Sequence, residues 1–209
     1  SLVGSEMCIR DSPYTDEDYF AYVDGKPRYN GVRDFFASRG ITLPEGDPSD
    51  GPAAQTICGL GNRKNDLFNT VLARDGIQPY PGSRRWVDRL HESGMAMAVV
   101  SSSRNAAAVL KAAGMVEDFS VLVDGNRSKT ERLPGKPAPD TYLRGAELLG
   151  VPAEQCVVVE DAVSGVRAGA AGGFGMVLGV NRGVGADRLR EAGADRVVDD
   201  LDEMVEEMA

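Results

Sequence analysis

The sequence is short of the residue types that build metal clusters, disulfide scaffolds and membrane spans. It has 3 cysteines, 1 histidine and 1 tryptophan in 209 residues. Cys8, Cys58 and Cys156 are odd in number and far apart. They match neither a disulfide framework nor a zinc-ligand spacing, and they point to a reducing, cytoplasmic setting. No apolar run approaches the roughly 20 residues of a membrane helix. No basic stretch leads into an apolar one as in a secretory signal. A membrane partner is therefore not expected. Positive charge is scarce too: 23 Lys and Arg against 32 Asp and Glu leave a net charge of -9. That balance excludes a broad electrostatic footprint for nucleic acid.

What is present is ordinary for a soluble α/β or α+β protein, with 42% hydrophobic and 26% charged residues. The length suffices to bury a core without disulfides or metals. Residues 1–12, SLVGSEMCIRDS, do not read as a natural start and are set aside as non-native. From residue 13 to about 79 the pattern is helical, irregular and rich in turns. Val32, Phe35 and Phe36 lead to Gly40, and Leu67, Val71 and Leu72 lead to Gly76, both at helical spacing. This stretch predicts a small helical lobe.

From Tyr80 the rhythm alternates. Helices are predicted over 83–93, with Ser83 as N-cap, and over 105–113, 141–149, 165–171, 186–192 and 201–208. Between them fall apolar strands at 95–100, 119–123, 156–159, 176–180 and 196–198. Alternating strands and helices imply right-handed crossovers and a parallel sheet. Strands apolar throughout imply a sheet covered on both faces.

Ligands of such sheets bind beyond the carboxyl ends of the strands. Three sets of residues stand at that edge or ahead of it. Ser101, Ser102, Ser103, Arg104 and Asn105 follow the first strand. Their hydroxyls and backbone N–H groups suit an anion, although Ser103 and Asn105 are equally suited to capping the next helix. Lys136 lies between Gly135 and Pro137-Ala138-Pro139, where two prolines pin the backbone around one point charge suited to a phosphate. Glu160 and Asp161 form an acidic couple after the third strand. A hard divalent cation such as Mg²⁺ would offset their repulsion, and Asp161 could equally cap a helix. Hydroxyl, lysine and acidic couple together supply what phosphoryl transfer needs, since that chemistry is mostly positioning and charge stabilisation.

The segments VVSSSRN, GKPAPD and VVVEDAVSGVRAGAAGG resemble the second, third and fourth motifs of the haloacid dehalogenase superfamily. YVDGKPRYNGVRDFFASRGI and CGLGNRKN resemble the helical cap of its β-phosphoglucomutase-like branch. The resemblance runs from Tyr22 to the C-terminus. It implies a Rossmann-like core over 80–209, a partial helical cap over 13–79, and a Mg²⁺-dependent enzyme acting on a small phosphate monoester, a sugar phosphate in class. By it, Ser101 and Lys136 engage the transferring phosphoryl group, and Asp161 binds Mg²⁺ with Glu160 beside it directly or through water. Ser102, Ser103, Arg104 and Asn105 touch the rest of the substrate, and Arg63 or Lys64, in a glycine-flanked cap loop, reaches it from above. Phosphomutase chemistry and a non-enzymatic receiver-like domain are the other readings.

One part of the family pattern is not there. The first motif, an apolar strand ending in Asp-x-Asp-Gly, carries the nucleophile. Asp24-Gly25 has Tyr22 where that aspartate would stand, and Asp11 is followed two residues later by Pro13. The resemblance therefore implies a chain inactive as written. It also implies a core whose central first strand is missing between those ending at Val100 and Val159, and hence poor stability.

Overall fold

The structure, a computed structural model, describes residues 13–207. The chain divides between Arg74 and Asp75 into two compact units. The first is helical. A short turn of helix capped by Thr15 runs into a π-helical turn at Tyr19–Val23. Two longer helices follow, α1 (Arg28–Ser38) and α2 (Ile57–Asp75). Asn62 on α2 joins them to the intervening loop. Its amide donates to the carbonyls of Pro48 and Asp50 (3.1 and 2.8 Å), and its carbonyl accepts from Tyr29 Oη (3.0 Å).

The second unit is α/β, as the alternating pattern predicts. Its elements in order are α3 (Pro81–Glu92), β1 (Ala98–Val100), α4 (Ala106–Ala112), β2 (Val121–Val123), α5 (Gly125–Thr130), α6 (Asp140–Leu149), β3 (Val157–Glu160), α7 (Val163–Ala171), β4 (Met176–Val180), α8 (Ala186–Glu191), β5 (Arg196–Val198) and α9 (Asp202–Glu207). Every strand pair is parallel. β1 pairs with β2, and β3, β4 and β5 pair in that order. Among the described residues these are two ladders, so the edge of β1 away from β2 and that of β3 away from β4 have no strand partner.

This explains where burial departs from expectation. The apolar runs predict strands covered on both faces. Among the described residues only β4 has ladder partners on both edges, and it is buried from Val177 to Val180. β1 is half-buried throughout, and Val157 on β3 is 53% exposed. The core lies around β4 and β5: Leu178, Val180, Val198 and Leu201 are buried together, with Trp86, Val159 and Met204 packed against them.

The first two strands are shorter than the apolar runs that predict them, β1 starting at Ala98 and β2 at Val121. Met95 still belongs to the exit from α3, its N–H donating to the Leu90 carbonyl (3.1 Å). Helix α3 starts at Pro81 rather than at Ser83, because a first-turn proline lacks only an N–H that would have no partner there. Ser83 Oγ instead accepts from Arg182 Nη2 (3.2 Å). Small residues bring helices onto strands. A Cβ at Gly145 would lie 3.1 Å from Val100, and one at Gly169 would lie 3.1 Å from both Val158 and Val177. That seats α6 on β1 and α7 on β3 and β4, and so fixes the loops that open at the strand ends.

Candidate active site

Three loops gather at the carboxyl ends of β1 and β3. The first is Ser101–Asn105. Ser101 N–H extends the β1–β2 ladder by donating to the Val123 carbonyl (2.9 Å). The chain then folds on itself: Ser103 N–H donates to Ser101 Oγ (3.2 Å), and Asn105 N–H to Ser103 Oγ (3.1 Å). Asn105 is the N-cap residue of α4 but makes no capping bond through its side chain.

The turn after β2 props this loop. Asp124 is buried and caps α5, accepting from the N–H groups of Asn126 and Arg127 (3.0 and 2.9 Å). Gly125 N–H donates to the Ser103 carbonyl (3.0 Å), and Asn126 Nδ2 to the Arg104 carbonyl (3.0 Å). Neither Asp124 nor α5 is foreseen from the sequence, although Asp124 follows a predicted strand and so satisfies the rule that finds the other residues. Asp124→Ala removes a buried cap, so a loss of about 1–2 kcal/mol in urea-induced unfolding is expected.

The second loop carries Lys136. Its side chain is 5% exposed, where the residue type predicts a surface position. Its Nζ lies 3.4 Å from the Val100 carbonyl, at the end of β1, and is ion-paired with Glu160 Oε1, at the end of β3. One ammonium thus spans the two ladders. It also stands 4.6 Å from the centroid of the Tyr142 ring, a cation–π contact.

The third loop begins with the acidic couple. Glu160 is 9% exposed at the side chain, and all of its acceptor capacity is engaged. Oε1 takes Lys136 and the Tyr142 hydroxyl (2.8 Å); Oε2 takes the N–H groups of Asp161 and Ala162 (2.9 and 3.0 Å). Burial pushes its carboxyl up. The Lys136 ammonium, aided by the hydrogen bonds, outweighs this and holds it below the usual range. Burial, and then the Glu160 charge, push the Tyr142 phenol far up, so it remains a neutral donor. Asp161 is exposed, and Ala162, not Asp161, occupies the N-cap position of α7.

Ser101, Lys136, Glu160 and Asp161 therefore share one edge of the α/β unit. Arg63 and Lys64 belong to the helical unit, are exposed, and lie on α2 rather than in a loop. The flanking glycines allow close packing instead of a turn. A Cβ at Gly59 would lie 2.4 Å from the Ala54 carbonyl oxygen, and one at Gly61 would lie 2.8 Å from the Tyr29 ring.

A family profile described as haloacid dehalogenase-like hydrolase matches residues 9–173. The chain belongs to that family. This hydrolase-family chain is 49% identical over 191 residues to a beta-phosphoglucomutase of Mycobacterium bovis, covering 90% of the chain and 73% of the relative. It is 33% identical over 190 residues to hexitol phosphatase A of Escherichia coli, covering 90% and 77%. Among solved structures, a beta-phosphoglucomutase from Clostridium difficile superposes with a TM-score of 0.74 at 19% identity, over 99% of the chain and 87% of the neighbour. CbbY from Rhodobacter sphaeroides, in complex with xylulose-(1,5)bisphosphate, gives 0.71 at 24% identity, over 92% and 81%. These neighbours share the fold. By family the chain is an enzyme, a phosphatase or phosphomutase related to beta-phosphoglucomutase and hexitol phosphatase. No helix among the described residues is long and apolar enough to cross a membrane.

Proposed function

We propose that the loops at the ends of β1 and β3 form a phosphoryl-transfer site for a small phosphate monoester, a sugar phosphate in class, and that hydrolysis is its reaction. The observation that carries the reading is Lys136 Nζ, buried between the Val100 carbonyl and Glu160. A cation at that edge, beside the hydroxyl-bearing loop that starts at Ser101, would offset phosphoryl charge, which supports this reading. In this reading Ser101 holds the transferring group. Ser102, Ser103, Arg104 and Asn105 face the rest of the ester.

Mg²⁺ fits the residues in one way. Among the described residues no three acidic, cysteine or histidine side chains are grouped to hold a metal. Glu160 has four donors already. Asp161 is exposed, and Mg²⁺ is commonly held by one or two carboxylates with phosphate oxygens and waters completing the shell. Asp161 is thus the proposed ligand, with Glu160 orienting its backbone, and the ion would supply Lewis-acid compensation of phosphoryl charge. The chain's own groups bind and orient the ester.

The 209 residues contain no Asp-x-Asp-Gly. We therefore propose that the chain as written binds phosphate esters without turning them over. The test measures phosphate release from a panel of sugar phosphates with Mg²⁺, for the chain and for a version carrying an added apolar strand ending in Asp-x-Asp-Gly. Release only by the extended version is expected. Turnover by the chain as written would sink the inactivity. Neither release nor isomerisation by the extended version would sink the enzymatic reading and leave a receiver-like domain. Isomerisation without release would establish phosphomutase chemistry, the reading that the 49% identical relative favours.

A further inference from the structure

Lys136 meets two demands. In this structure its ammonium is paired with Glu160 Oε1, and both side chains are buried, with exposures of 5% and 9%. In the function proposed above, the same ammonium serves a phosphoryl oxygen. Turning toward phosphate loosens its hold on Glu160, and a buried carboxylate oxygen left without a donor carries the full desolvation penalty.

Tyr142 removes that obstacle. Its hydroxyl donates to the same oxygen, Glu160 Oε1, at 2.8 Å. Oε2 is independently satisfied by the N–H groups of Asp161 and Ala162. With Lys136 withdrawn, the carboxylate would still have one donor on Oε1 and two on Oε2. The ring does a second job. Its face lies 4.6 Å from Lys136 Nζ, a surface along which an ammonium keeps favourable contact as it shifts. The ring is itself fixed, 7% exposed and edge-on to Phe174 at 6.0 Å. The hydroxyl is therefore held on Oε1 by packing as well as by its hydrogen bond.

We propose that Tyr142 is a positioning residue of the phosphate site: its hydroxyl keeps Glu160 Oε1 satisfied so that Lys136 can turn from Glu160 to a phosphoryl oxygen. This rests on the reading of Lys136 as the phosphate cation.

Tyr142→Phe keeps the ring, its cation–π face and its packing on Phe174, and deletes only the hydroxyl. Binding of inorganic phosphate to the full chain, measured by calorimetry, tests the inference in a double-mutant cycle with Lys136→Met. Tyr142→Phe is expected to weaken phosphate binding about tenfold with Lys136 present, the order expected for a hydrogen bond to a charged group, and to leave it unchanged in the Lys136→Met background. An equal loss in both backgrounds, or none with Lys136 present, overturns the role of Tyr142 while Lys136→Met alone still weakens binding. Phosphate affinity indifferent to Lys136→Met overturns the reading of the site, and this inference with it. Should Tyr142→Phe fail to fold, 3-fluorotyrosine placed at 142 keeps the shape and makes the hydroxyl a stronger donor. Tighter phosphate binding is then expected, and unchanged or weaker binding overturns the proposal.

Discussion

Lys136→Met is expected to lower stability by about 3–5 kcal/mol at neutral pH, the range for removing one partner of a buried ion pair. The pH dependence identifies the cause. In the native chain the Glu160 carboxyl is held below its ordinary value. It therefore contributes stability that is present above the unfolded carboxyl's value, near 4.5, and is lost as the pH falls through its lowered folded value. Without the ammonium, the chief influence lowering the carboxyl is gone, and burial, the largest single influence, is opposed only by the hydrogen bonds from Tyr142 and the backbone. The sign then reverses: the folded carboxyl binds its proton more readily than the unfolded one, and acid relieves the buried charge. The gap between the two proteins should be widest near pH 7 and shrink toward pH 4. Chemical unfolding across that range checks it. A gap independent of pH would show that the substitution acts through packing alone.

The second large effect is expected at Gly165. Secondary-structure propensity favours alanine inside a helix over glycine by about 0.5–1 kcal/mol. The structure reverses the sign. A Cβ at Gly165 would lie 2.1 Å from Cδ and Oε1 of Glu160. A long side chain can often swing away from such an approach, but Glu160 is buried and bound to Lys136, Tyr142 and two backbone N–H groups. Either α7 shifts off β3 or the carboxylate leaves its partners. Gly165→Ala is accordingly expected to destabilise by about 3 kcal/mol, at the upper end for overpacking, and to abolish phosphate binding. Thermal unfolding together with phosphate calorimetry measures both. A stabilised variant would mean that the Glu160 pocket is loose.

The two substitutions concern one small pocket, and they separate what holds it. Lys136→Met removes charge and leaves space, so acid repairs it. Gly165→Ala adds volume and leaves charge, so acid does not. The expected pH response thus distinguishes the electrostatic from the steric contribution of residues that touch the same carboxylate.

Much of this molecule follows from local chemistry. Runs such as MAMAVV and CVVV, separated by helical stretches ending at Gly94, Gly114 and Gly150, dictate strands, helices and a parallel α/β unit. The rule that ligands meet such sheets at strand ends selects Ser101, Glu160 and Asp161, and the proline-pinned GKPAPD segment selects Lys136. What the chain alone could not supply is any quantity that depends on atoms far apart in sequence. Residue type makes Lys136 a surface group, whereas contact with Val100, Tyr142 and Glu160 buries it. Gly59 and Gly61 suggest a loop by propensity, yet the approach of Ala54 and Tyr29 makes them helical packing sites. Tyr142 gives no sign in its own neighbourhood of a role at the site, because its partner stands 18 residues away on another element. Periodicity and turn chemistry act within a few residues and are legible in the sequence. Burial, charge pairing and close approach are settled between elements, and only the tertiary structure brings those elements together.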